Sequence, residues 1–262
     1  MFITGASSGI GAALAREYAA RGARLGLVAR RRAELDALAA ELGAQFPQPA
    51  AAGPHLVYAL DVTDHAALAA AAADFIARTG GADIVIASAG VSQGTLTEFA
   101  EDMAVFERIV AINLNATVAT FAPFIGAMKT QDTPRRLVGI GSVAGIRGLP
   151  GAGAYSASKA ALLCYCESLR LELKASGIGV VTIAPGYIDT PMTRHNAYPM
   201  PFLMAPARFA ARAARAIDAG ASYRVIPWQM GVVAKLLRAL PNALYDVAFA
   251  RAPHKARKNA PP

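Results

Sequence analysis

Apolar residues in this chain fall into two alternating kinds of run. Short, nearly unbroken apolar stretches occur at Met1–Thr4, Arg24–Ala29, His55–Leu60, Asp83–Ser88, Arg136–Gly141, Val180–Ala184 and Tyr223–Pro227. Between them, apolar positions recur every three or four residues, as in Ile10, Leu14 and Tyr18, in Leu35, Leu38 and Leu42, and in Leu68, Ala72, Phe75 and Ile76. The first kind reads as strands buried on both faces and the second as amphipathic helices. Their alternation predicts βαβ units and an α/β fold. The expected architecture is a Rossmann-type doubly wound parallel sheet of about seven strands, with ligands at the carboxyl ends of the strands. Residues 1–228 form one domain on this reading. Residues 229–262 form a basic C-terminal helical extension and tail, in which "GVVAKLLRAL" is amphipathic and stops at Pro241. The Ala/Pro/Gln-rich piece Gly43–Pro54 reads as a surface loop, and no internal repeat is present.

The first strand runs into "TGASSGIG", which sets Gly5, Gly9 and Gly11 ahead of a helix. Glycines permit the tight turn and let backbone N–H groups approach a pyrophosphate at the helix N-terminus. The motif lies between a strand and a helix in the first βαβ unit, where that mechanism requires it. The second strand ends "LVARRR". A fold that binds NAD(H) often has an acid there to hold the ribose 2′-hydroxyl. Here Ala29 takes that place, and Arg30 and Arg31 follow. A guanidinium fork suits a 2′-phosphate, so the reading favours NADP(H). The plainer alternative is a set of solvent-facing arginines at a strand exit.

In "AYSASKAALL", Tyr155 and Lys159 stand four residues apart, on one face of a helix continued by Leu162, Cys166, Leu169 and Leu173. A surface pair near a helix start is the plain reading. The chemical reading is that the ammonium favours the phenolate and lowers a phenol pKa that is otherwise near 10, making Tyr155 an acid–base group.

Together these residues make the chain resemble the short-chain dehydrogenase/reductase family over roughly residues 1–228. The resemblance rests on Thr4–Gly11, Asp61–Val62, Ala89–Gly90, Asn113, Ser142, Tyr155 with Lys159, and Pro185–Gly186 followed by Ile188 and Thr190. It implies an oxidoreductase that interconverts a carbonyl and a secondary alcohol. Tyr155 would be the acid in reduction and the base in oxidation. Lys159 would tune it and bond the nicotinamide ribose, and Ser142 would polarise the substrate oxygen. Asn113, in "VAINLNAT", would hold a water in the proton relay; its alternative is a helix-interior Asn bonded to backbone. The cofactor set implied is Gly5, Ser7, Ser8, Gly9, Ile10, Gly11, Arg30, Arg31, Asp61, Val62, Ala89, Gly90, Tyr155, Lys159, Pro185, Gly186, Ile188 and Thr190. Three positions depart from the family. Ala87 and Ser88 replace a common pair of asparagines, and Gly141 stands where a serine often precedes the catalytic one.

Composition narrows the alternatives. The chain has 262 residues, 55% of them hydrophobic, which suits one sizeable core. No uninterrupted membrane span and no secretory signal are expected, and Cys164 and Cys166 read as reduced thiols on different helix faces, so a cytoplasmic protein is expected. His55, His65, His195 and His254 lack metal-ligand spacing, and no metal is expected. Net charge is +8, all of it late in the chain: residues 1–205 carry 16 basic and 16 acidic side chains, residues 206–262 carry 10 and 2. The plain reading of that tail is a solvated end, with no nucleic-acid partner. Contact of its basic helix with a membrane surface is the alternative. The stretch 187–205 reads as a substrate loop, and Met192, Met200, Phe202, Leu203 and Met204 point to a small-molecule carbonyl or alcohol with a bulky, mostly apolar body; a packed helical lid is the alternative. The family implies an oligomer, here expected as a homodimer packed through the long helices around Asn113 and Tyr155. A non-catalytic dinucleotide sensor is the remaining alternative, opposed by the intact Tyr155 and Lys159.

Overall fold

All seven expected strands form, and they lie parallel in the order β3-β2-β1-β4-β5-β6-β7. The computed structural model describes residues 1–49, 53–194, 196, 198–250, 252, 255 and 257. The elements in chain order are β1 (Phe2–Thr4), α1 (Gly9–Ala19), β2 (Gly26–Ala29), α2 (Arg32–Gln45), β3 (Leu56–Ala59), α3 (His65–Thr79), β4 (Ile84–Ala87), α4 (Asp102–Val110) and α5 (Ala116–Lys129). Then come β5 (Arg135–Ile140), α6 (Gly153–Glu172), β6 (Ile178–Pro185), α7 (Pro206–Asp218), β7 (Tyr223–Ile226), α8 (Trp228–Ala239) and α9 (Asn242–Phe249). Helix α2 extends to Gln45 and so takes the first residues of the stretch read as a loop.

Successive strand residues feed opposite faces of the sheet, which is why the strands read as unbroken apolar runs. Ile3, Leu27, Ile86, Val138 and Val181 pack with Leu14, Leu35, Phe209 and Ile217 from α1, α2 and α7. Phe2, Val28, Val85, Leu137 and Val180 pack with Phe75, Phe124, Leu162 and Leu169 from α3, α5 and α6. Gly26 is forced by this packing, because a Cβ there would fall 2.6 Å from the Phe75 ring and 2.8 Å from that of Phe2. The strand order reverses between β1 and β4, and the cleft opens at their carboxyl ends.

Helices α4 and α5 are joined by a π-turn, Ala111–Asn115. The resulting 28-residue rod, Asp102–Lys129, is long and apolar enough to cross a membrane by length and composition alone. Pro123 does not interrupt it. Ile109, Phe121, Phe124 and Met128 are buried in the protein core, so the rod serves as a core helix.

The C-terminal extension is not merely a solvated end. Arg147 donates to the carbonyls of Arg238 and Leu240, both at 3.0 Å, and its guanidinium stacks 4.0 Å over the Tyr245 ring. Arg257 donates from Nε to Asp102 Oδ2 at 2.7 Å and from Nη2 to Glu101 at 3.1 Å, and it covers the Phe99 ring at 3.6 Å. Lys255 Nζ donates to Ser92 Oγ at 3.0 Å. Two of the tail cations thus bind the loop that follows β4. Arg251, Lys258, His195 and His254 lie outside the described residues. Among the described residues, no cluster of His, Cys, Asp or Glu could hold a metal ion.

Candidate active site

A cleft of about 310 Å³ lies at the switch point, and every residue expected to touch a dinucleotide lines it. The glycine turn builds one end. Gly5 has φ +70°, and a Cβ on it would sit 2.8 Å from the backbone of Ala89. A Cβ on Gly11 would sit 2.2 Å from the Gly5 oxygen. The turn therefore closes only without side chains, leaving the first N–H groups of α1 facing the cleft. Ser8 caps that helix without a side-chain hydrogen bond, so those donors remain open to an anion. Thr4 Oγ1 accepts from the amides of Ser88 (3.2 Å) and Ala89 (3.3 Å), tying β1 to the turn after β4 where the family's asparagine amides are missing.

At the β2 exit, Arg31 Nη2 donates to Ser7 Oγ at 3.0 Å. Arg30 lies 3.8 Å from Asp61 and is largely exposed. Burial pushes the Asp61 carboxyl up, but hydrogen bonds from Thr63 and the Arg30 charge outweigh it and hold the pKa below the usual value. Two cations thus flank the position where Ala29 replaces an acid.

At the other end stand Ser142, Tyr155 and Lys159. Ser142 lies two residues beyond β5 and accepts from Ala144 N–H at 3.1 Å, which aims its hydroxyl. Lys159 is buried, and its Nζ donates to the carbonyl of Ile140 at 2.7 Å. The ammonium is 6.0 Å from the Tyr155 ring centroid. Sequence reasoning expected it to depress the phenol pKa. Instead burial raises the Tyr155 pKa, opposed by the Ser142 hydroxyl. Burial also lowers Lys159 to about 8. Desolvation dominates here because the ammonium is turned onto the Ile140 carbonyl rather than onto the phenol oxygen.

The Asn113 carboxamide is held by the protein itself. Its Oδ1 accepts from Val91 N–H at 2.8 Å, and its Nδ2 donates to Val91 O and Ser158 Oγ, each at 3.0 Å. The carboxamide is fully engaged and clamps the loop after β4 to α6. It reaches the Lys159 neighbourhood only at Gly90, where a Cβ would lie 3.4 Å from Asn113 Oδ1 and 3.7 Å from Lys159 Nζ.

The substrate loop is pinned at its base, where Met204 N–H donates to Tyr187 O and Asp189 N–H to Met204 O, both at 3.0 Å. Of its five apolar residues, only Met192 lines the cleft. Met204 is buried in the core, while Phe202 and Leu203 face solvent. Sequence pattern missed the Tyr187–Tyr198 edge-on pair at 6.3 Å. It also missed the hydroxyl of Ser88, which is buried, without a partner, and in the cleft wall. A serine in place of the family asparagine was the available signal.

The glycine cradle, the open helix end, the orphan Ser88 hydroxyl and the Ser142–Tyr155–Lys159 group at the far end fit a nicotinamide dinucleotide. The comparisons agree. A family model described as short chain dehydrogenase matches residues 1–199. The chain belongs to the short-chain dehydrogenase family. An oxidoreductase of Myxococcus xanthus, itself uncharacterized, is 37% identical over 249 residues, covering 95% of each chain. A short-chain dehydrogenase from Sphingobium yanoikuyae, solved with NADPH, superposes with a TM-score of 0.76 at 29% identity, over 100% of this chain and 97% of that one. A 3-ketoacyl-(acyl-carrier-protein) reductase from Brucella melitensis, solved with NADH, gives 0.75 at 25% identity, over 86% and 95%. This short-chain dehydrogenase is accordingly a dinucleotide-dependent oxidoreductase. The sensor alternative loses ground, because all the reacting side chains are present and face one cleft.

Proposed function

We propose that the enzyme uses NADP(H) to interconvert a carbonyl and a secondary alcohol on a substrate with a mostly apolar body, a reading supported in the cleft by Met192 alone among the five loop residues. The observation that carries the cofactor assignment is the pair Arg30 and Arg31 beside Ala29 at the cleft rim. A 2′-phosphate there meets two guanidinium groups and no facing carboxylate on β2. The residues from Gly5 to Gly11 would hold the pyrophosphate, Ser88 and Asp61 the adenosine end, and Lys159 the nicotinamide ribose. When bound, the cofactor supplies or accepts the hydride.

The protein's own part is proton management. In reduction the Ser142 hydroxyl donates a hydrogen bond to the carbonyl oxygen, and Tyr155 Oη passes its proton to that oxygen as the carbon gains hydride. The product is an alcohol, and the phenolate left behind is reprotonated from solvent. Burial raises the Tyr155 pKa above that of a free phenol, so the group stands in its proton-donating form at neutral pH. The same reading includes a homodimer packed through the long helices, because Met103, Val118 and Leu171 leave apolar side chains exposed on α4, α5 and α6.

The test is NADPH oxidation against a panel of ketones and aldehydes with wild type and Tyr155→Phe. The variant should bind NADPH normally and lose about 10²–10⁴ in kcat, the usual worth of a general acid. Near-normal turnover in the variant would remove Tyr155 from the mechanism.

A further inference from the structure

Helix α8 presents an apolar face to solvent, the reverse of the usual arrangement on a surface helix. Its inward residues Met230, Gly231 and Ala234 are buried. Outward, Trp228 (66% exposed), Val232 and Leu236 (64%) recur at helical spacing, and α9 adds Leu244 and Val247 (82%). The pair of helices is fixed in this attitude. Arg147 binds the carbonyls at the end of α8, and Gly231 lets α8 sit against β7, where a Cβ would lie 3.1 Å from Val225. The face is thus held out by contacts that do not themselves cover it.

Charge selects the occupant. Between residues 219 and 250 the cations are Arg224, Lys235 and Arg238, all exposed, and the single acid is Asp246. A second copy on a two-fold axis through this face would set Lys235 and Arg238 near their own equivalents. A lipid surface of negative charge complements them while taking up the apolar stripe, and tryptophan is favoured at that boundary. We propose that α8 and α9 dock the enzyme in-plane on an anionic bilayer, with Trp228, Val232 and Leu236 in the acyl boundary and Lys235 and Arg238 among the headgroups.

Trp228 is the only tryptophan in the chain, so its fluorescence reports on this face directly. The full-length protein is titrated with phosphatidylcholine vesicles containing or lacking phosphatidylglycerol, with and without a lipid-borne quencher. The expected result is a blue shift and quenching with anionic vesicles, weakening as salt rises, and little change with neutral ones. Each cation at an anionic surface strengthens binding about fivefold, so Lys235→Glu with Arg238→Glu should weaken it by about 25-fold or more. Val232→Asp with Leu236→Asp should abolish the shift while NADPH-linked turnover is kept. No shift with anionic vesicles, or an unchanged one in the charge-reversed variant, overturns the proposal. A concentration-dependent shift without lipid, accompanied by a fall in mass for Val232→Asp with Leu236→Asp in light scattering, also overturns it in favour of a second copy.

Discussion

Lys159 Nζ donates to the Ile140 carbonyl at 2.7 Å, joining the middle of α6 to the end of β5 beneath the phenol of Tyr155. The ammonium is almost fully buried, and burial lowers its pKa from 10.5 to about 8. In the unfolded chain the group stays protonated until about pH 10.5. Between pH 8 and 10.5 the unfolded state therefore binds more protons than the folded state, and stability must rise with pH in that window. The full effect amounts to about 3 kcal/mol. Lys159→Met removes it. Denaturant unfolding of both proteins from pH 7 to 10 should show wild type gaining on the variant above pH 8. A constant difference would mean that the ammonium carries no desolvation cost.

Gly145 closes the short turn Val143–Gly145 that follows Ser142. A Cβ there would meet the backbone of α6 at Lys159 C (2.8 Å) and Ala160 N (2.9 Å), and neither atom can rotate away. Gly145→Ala should therefore push the Ser142 turn away from α6, changing the spacing of Ser142 to Tyr155. Overpacking of this kind costs about 1–3 kcal/mol. The prediction is a lower Tm together with a kcat loss larger than any change in NADPH affinity. Retention of wild-type kcat would show that the turn relaxes without moving the hydroxyl.

What was legible in the sequence was local or repetitive. Phe2, Val28 and Val85 sit in strands covered on both faces, so burial left continuous apolar runs. Gly5 and Gly11 mark a turn whose crowding is set within a few residues of chain and the neighbouring strand end. What was not legible depends on distant partners. Asn113 is bound by Val91, 22 residues upstream, and by Ser158, 45 residues downstream, a pairing that no spacing rule contains. Arg257 meets Asp102 across 155 residues. The Tyr155 pKa moved opposite to expectation because a one-turn spacing to Lys159 fixes proximity but not the depth of burial, nor which oxygen the ammonium chooses.

Cofactor choice follows from Arg30 and the missing acid at Ala29. Hydrogen bonds to charged groups contribute about 1.5–3 kcal/mol, and an exposed arginine falls at the low end through screening. The Arg30 side chain is 55% exposed. NADPH should be favoured by about tenfold or more, with a preference that weakens as salt rises. Ala29→Asp with Arg30→Ser adds a ribose acceptor and removes one phosphate ligand, so the preference should move towards NADH. The measurement is kcat/KM for both cofactors in both proteins. Equal wild-type values, or an unaltered preference in the double variant, would reduce these arginines to surface charge.

The Arg257 latch ties the tail to the segment between β4 and α4, whose first residues, Ser88 to Val91, line the cleft. Asp102 is 4% exposed and accepts from Leu96 N–H at 2.8 Å as well as from Arg257, whose side chain is 10% exposed. Hydrogen bonding from Arg257 and then from Leu96 holds the Asp102 carboxyl below the usual carboxylate range. A carboxyl so shifted stabilises the fold above its unfolded pKa of about 4 and loses that contribution as pH falls through the folded value. Arg257→Ala leaves a nearly buried carboxylate without its counter-ion. Tm at pH 7 should fall, and the deficit should shrink below about pH 4, where the carboxylate takes a proton. Adding Asp102→Asn should recover part of the loss at pH 7, because the amide oxygen still accepts from Leu96 without a charge. Arg257→Lys should rescue less than the native residue, since an ammonium cannot bind two oxygens in a fork and also cover Phe99. The loop bears on the site through Thr95, which pairs with Ala152 just before α6. Arg257→Ala should accordingly raise KM for the carbonyl substrate more than it weakens NADPH. Independent, additive effects of the Arg257 and Asp102 variants on Tm would break the latch assignment.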